Sequence, residues 1–92
     1  MIGSFVIVRT RSAGVHMGYL KECNGTAVLL TKALRLWRWK GANTLHEVSK
    51  NGVKEGSRIS EEVPLIFLSE AIELIPCSEK AKKILEVPRW DD

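Results

Sequence analysis

The chain has 92 residues and a formal net charge of +3; 45% of it is hydrophobic, 27% charged and 7% aromatic. That make-up fits one soluble globular domain and excludes general disorder, because enough apolar surface is available to offset the entropy of ordering. It excludes a membrane-spanning helix, which needs roughly 18–20 consecutive apolar residues, and the two cysteines, Cys23 and Cys77, supply neither a disulfide framework nor a closed zinc site.

A cytoplasmic location is expected, since the start MIGSFVIVRT has no basic region and no small-residue cleavage site. A monomer of this size buries only about 60–65% of its unfolded surface, so assembly into a homo-oligomer is expected as well. The charge is unevenly spread. Residues 1–42 hold seven Lys or Arg against one acid, a net of +6, whereas residues 43–92 hold seven against ten, a net of −3. A basic half raises the local concentration of anionic partners, although folding or subunit contact can equally neutralise it.

Residues Phe5–Thr10 are β-branched and few, which predicts a strand. Ser12-Ala13-Gly14 breaks it. A second strand is predicted over Val15–Glu22, with Val15, Met17 and Tyr19 on one face and His16, Gly18 and Leu20 on the other. Asn24-Gly25 then predicts a tight type I′ hairpin turn into Ala27–Leu30. Leu34 to Lys40 alternates with period two, so Leu34 and Leu36 face one way and Arg35, Trp37 and Trp39 the other. Thr44 to Glu47 fits a capping box for a short helix, with Asn51-Gly52 as its stop. Residues 52–62 read as a polar, mobile loop. Pro64 can only start a strand or sit on an edge. Leu65–Leu68 and Ala71–Ile75 are two further strands, split by Ser69-Glu70. Ser78 caps a terminal helix with Ala81, Ile84 and Leu85 as its packing stripe, and Pro88 stops it. No internal repeat or linker interrupts the series, so residues 1–92 form one domain. About five short strands and two small helices predict a mainly β, strongly bent small barrel.

Two resemblances add to this reading. Val6-Ile7-Val8-Arg9, Gly14-Val15-His16-Met17-Gly18-Tyr19-Leu20, Asn24 and Val28-Leu29-Leu30 together resemble the first motif of Sm-like proteins, which have SH3-type barrels. In that family a glycine two residues before a buried apolar position lets the second strand bend, the place held by Gly18 and Leu20. Its second motif, an apolar residue followed by Arg-Gly, is absent, because Phe67-Leu68-Ser69 stands there. The resemblance therefore implies a barrel and ring-like assembly, and not the family's uridine pocket. The string Arg35-Leu36-Trp37-Arg38-Trp39-Lys40-Gly41-Ala42, with Thr44-Leu45 and Ala71 to Glu79, resembles a family of small uncharacterised phage proteins. That likeness implies phage origin. Phage proteins of this size include inhibitors of host defence, among them oligomeric sponges that sequester cyclic nucleotide signals without cleaving them.

No phosphate loop, nucleophile elbow or His-Glu-x-x-His motif is present, the acids Glu61, Glu62, Glu70, Glu73 and Glu79 lack metal spacing, and neither an enzyme nor a cofactor is expected. Of the two thiols, Cys77 is the more reactive by expectation, since it precedes a helix N-terminus. His16 and His46 are lone histidines, open to an acid–base or a structural role. The tryptophan strand carries the functional expectation: Arg35, Trp37 and Trp39 on one face make a stacking surface with a phosphate clamp. Arg58 and Ser57 on the polar loop, Arg11 beside the first turn and His16 complete the candidate set. The same face serves equally well for packing or a subunit contact, because Trp and Arg are enriched at interfaces. A pocket at a subunit interface reconciles the two. The function expected is sequestration of a nucleotide second messenger of the cyclic oligonucleotide or cyclic ADP-ribose class. An Sm-like binder of RNA or single-stranded DNA, and a protein–protein inhibitor of a host factor, are the alternatives.

Overall fold

A computed structural model describes residues 1–42 and 44–88. It is mainly β, with six strands: β1 Phe5–Thr10, β2 Val15–Asn24, β3 Ala27–Arg38, β4 Arg58–Ile59, β5 Val63–Leu68 and β6 Ala71–Pro76. Two short helices, α1 Leu45–Asn51 and α2 Glu79–Leu85, complete it. All pairings are antiparallel, in the order β4-β3-β2-β1-β6, while β5 pairs with the first half of β3. Because β5 runs straight into β6 and β6 pairs with β1, the sheet bends round into a small barrel.

The bend gives the molecule two apolar layers. Phe5, Ile7, Met17, Leu34, Leu36 and Ile59 pack under the helices with Val48, Val53, Ala81 and Leu85. Val6, Val8, Leu20, Val28, Leu30, Ala33 and Leu68 fill the inside of the barrel. The run Phe5-Val6-Ile7-Val8 is continuously apolar because β1 is central and buried on both faces. The two faces expected for β2 are found: Val15, Met17 and Tyr19 meet the helix layer, and Leu20 the barrel interior.

Three sequence expectations need correction. The hairpin turn is tight but lies one residue later: Asn24 pairs with Ala27, and of the central pair Gly25-Thr26 only Gly25 has a positive φ, +61°. That is the pattern of a II′ turn with glycine first, not of a I′ turn. The two pieces expected on either side of residue 31 form one strand, carried through a bulge at Lys32, whose φ is +49°. The bulge inserts one residue opposite Gly18, so Met17 pairs with Leu34 while Tyr19 pairs with Thr31. Residues 52–62 are not a solvated loop, since Val53, Ser57 and Ile59 are buried and β4 adds to the sheet beside Leu36. An apolar residue every few positions was enough to pull that polar stretch onto the core.

Candidate functional site

The bulge at Lys32 decides what β3 presents. Before it, Val28 and Leu30 point into the barrel; after it, Ala33 takes that side and Leu34 and Leu36 turn to the helices. Arg35 and Trp37 thus follow Ala33 along the barrel-side face and run out past the end of the inner core. There they border a cleft of about 290 Å³ lined by His16, Ala33, Leu34, Arg35, Trp37, Ser60, Glu61, Val63 and Ile66. A second cleft of about 420 Å³ lies on the other side of Arg35, between it, Trp37, Trp39 and the turn Ser12-Ala13-Gly14.

Arg35 and Trp37 line both clefts and are the residues the structure joins most closely. Arg35 is exposed, and Trp37 keeps 57% of its surface accessible. Trp39 behaves differently. A second bulge, between Leu36 and Arg38, ends the alternation, and Trp39 is half-buried against the helix-side core while still lining the second cleft.

His16 lies opposite Arg35 in the β2–β3 pair and is 2% exposed. Its Nε2 lies 2.8 Å from the Ala13 carbonyl oxygen. A carbonyl can only accept, so Nε2 holds the proton of the neutral ring. Burial, with a further push from the Arg35 charge, outweighs that bond and lowers the imidazole below its ordinary value of 6.5. The ring is therefore a neutral wall of the first cleft at pH 7. The turn that holds it is stiff. Thr10 donates from Oγ1 to the Gly14 carbonyl at 2.8 Å and accepts from the Ala13 N–H at 2.9 Å. Ser12 Oγ donates to the Glu70 carboxylate, and the Arg11 N–H to the Glu70 carbonyl at 3.0 Å. Arg11 is thus anchored by its backbone, exposed, and next in the chain to the second cleft.

Ser57 and Arg58 stand elsewhere. Ser57 is buried, and its hydroxyl accepts the Lys40 N–H at 2.8 Å, so it fastens the 52–62 segment to the end of β3. Arg58 is half-buried in β4 opposite Arg38. Neither is among the described residues that line the three clefts bordered by Trp37. Ser60 and Glu61, which the sequence did not single out, occupy that place. The Arg35 N–H donates to Ser60 Oγ at 2.8 Å, the Ser60 N–H returns a bond to the Arg35 carbonyl at 2.9 Å, and Ser60 Oγ donates to the Glu61 carbonyl at 3.0 Å. The register Leu36–Ile59 carries Glu61 to the rim; only the pairing of the segment with β3 reveals it.

His46, on α1, is exposed with Nε2 3.8 Å from Glu73 Oε2, and Arg9 Nε donates to Glu73 Oε1 at 3.1 Å. Among the described residues no group of three or more His, Cys, Asp or Glu could hold a metal ion. The expectation for Cys77 reverses: half-buried against the helix-side core, its thiol is pushed up to about 12 by burial, while Cys23 is exposed. Desolvation outweighs the short helix after it. No helix of the described residues is long and apolar enough to cross a membrane, which says nothing about strands.

No curated protein and no solved structure matches the chain. Residues 3–85 match the model of a domain of unknown function, DUF6948, and the chain belongs to that family.

Proposed function

We propose that this chain binds a nucleotide-class anion at Arg35 and Trp37 and holds it without converting it. The observation that carries the reading is that an exposed indole and an exposed guanidinium line the same two clefts. A base stacked on Trp37 contributes about 1–3 kcal/mol, and the planar guanidinium pairs with phosphate through two parallel N–H donors. Trp39 and the Ser12–Gly14 turn widen the second cleft for a ligand larger than a mononucleotide. The resemblance to small phage proteins favours sequestration of a host nucleotide second messenger in the cytoplasm as the biological role.

The proposal includes a homo-oligomer with the pocket near its interface. Val63, Leu65 and Phe67 form an apolar outer row on β5, and Val63 also lines the first cleft. A second copy covering that row would therefore border the ligand. The test is a thermal-shift panel of cyclic di- and trinucleotides, ADP-ribose derivatives and oligonucleotides on the full chain. A bound ligand at ~100 times its dissociation constant adds about 2.7 kcal/mol. Trp37→Ala and Arg35→Ala each abolish the shift if the clefts are the site, and unchanged binding in both variants sinks the assignment. A shift for oligonucleotides alone, fading steeply with salt, indicates polymer binding instead.

A further inference from the structure

Resting on that nucleotide reading, we infer that the Trp37 cleft selects guanine, and that the Glu61 carboxylate is what reads the base. Glu61 lines the first cleft, and it lines a further one of about 410 Å³ with Trp37, Ser60 and Pro88. A base stacked on the indole in either of them therefore has Ser60 and Glu61 within the same walls. The backbone that carries Glu61 is fixed: Ser60 is bonded both ways to Arg35, and its hydroxyl holds the Glu61 carbonyl.

An acid is the wrong group to place beside a phosphate, and Arg35 already offers the right one in the first cleft. The carboxylate is thus explained by the other end of the ligand. At neutral pH its two oxygens only accept. Of the common bases, guanine alone presents two adjacent donors, N1–H and the N2 amino group, to a pair of acceptors. Adenine sets its N1 lone pair beside the N6 amino group, and cytosine sets N3 beside N4, so one carboxylate oxygen would face a lone pair in each. Uracil and thymine offer a single N3–H between two carbonyls. Stacking on Trp37 is indifferent to base identity, so discrimination falls to Glu61.

The probes are GMP, IMP and AMP, titrated into the full chain by calorimetry. A bidentate base contact discriminates by about ten- to hundredfold, so GMP binds tighter than AMP by that factor. IMP, which keeps N1–H and lacks the amino group, falls between. Glu61→Gln lowers GMP affinity about tenfold or more and does not lower AMP affinity, because a carboxamide presents a donor to one of the guanine hydrogens but matches adenine's N1 acceptor and N6 donor. Equal affinity for GMP and AMP, or an unchanged GMP-to-AMP ratio in Glu61→Gln, overturns the guanine assignment while leaving nucleotide binding in place. Absence of binding by all three, and by the cyclic nucleotides of the panel, overturns both. Retained binding of all three in Trp37→Ala relocates the site and also overturns it.

Discussion

His16 shows how one side chain can couple the candidate site to stability. Its ring is buried and neutral, and its proton affinity is lowered chiefly by desolvation. The unfolded chain restores the ordinary value of 6.5, so between that pH and the lower folded value the unfolded state binds more protons. The contribution of His16 is therefore complete above pH 6.5 and is lost as the pH falls through the folded value. Thermal unfolding between pH 7.5 and 5.0 should show stability declining by at most about 1.4 kcal/mol per pH unit from this group. His16→Gln, which keeps a donor for the Ala13 carbonyl, should flatten that slope whatever it does to the absolute midpoint. A slope identical in the two proteins sinks the argument. In the sequence, His16 was one position in an alternating strand; its burial depends on Arg35 and the Ser12–Gly14 turn closing over it.

At the scale of elements, the crossing of β2 and β3 governs where the site forms. A Cβ added at Gly18 would lie 2.9 Å from the Thr31 carbonyl oxygen, 3.1 Å from Ala33 Cα and 3.3 Å from Leu30 Cβ. Two of these are backbone atoms, which cannot swing away as a side chain would. Gly18→Ala should thus cost about 1–3 kcal/mol in denaturant unfolding, and Gly18→Val more. Destabilisation below about half a kcal/mol, read at unchanged m-value, means β3 gives way easily and the contact is not what sets the bend. The glycine was legible as a bending point, whereas the bulge at Lys32 that answers it was not. Nothing local marks a lysine for positive φ; the close crossing at Gly18 takes up one extra residue on β3 there, matched by one extra on β2 between Leu20 and Glu22. Without that one extra residue, Arg35 and Trp37 would have joined Leu34 and Leu36 in exchanging faces.

The whole molecule leaves two features unsatisfied within one chain, the apolar row on β5 and the partly closed sheet. Phe67 is 64% exposed, with Leu65 beside it on the same face, and among the described residues β5 pairs along one edge only, with β3. Pro64 removes one backbone donor from the strand, which limits edge pairing without preventing side-chain contact. Light scattering should therefore find wild-type protein larger than a monomer and Phe67→Asp monomeric, with the circular dichroism of the two alike. A monomeric wild type removes the interfacial pocket from the proposal and leaves the Arg35–Trp37 clefts to bind alone.

By itself the sequence determined the mainly β class, the place of the two helices with their Thr44 and Ser78 caps, and the separation of Leu34 and Leu36 from Arg35 and Trp37 onto opposite faces. These come from local periodicity, capping chemistry and chain length, which act over a few residues. Tertiary structure alone decided that residues 52–62 would fold onto β3, that Trp39 would turn to the core, that Ser57 would be spent on a backbone bond, and that Glu61 would line a cleft with Trp37. Each of those depends on register between segments 17 or more residues apart. Register is set by the summed packing of both strands, and no single segment encodes it.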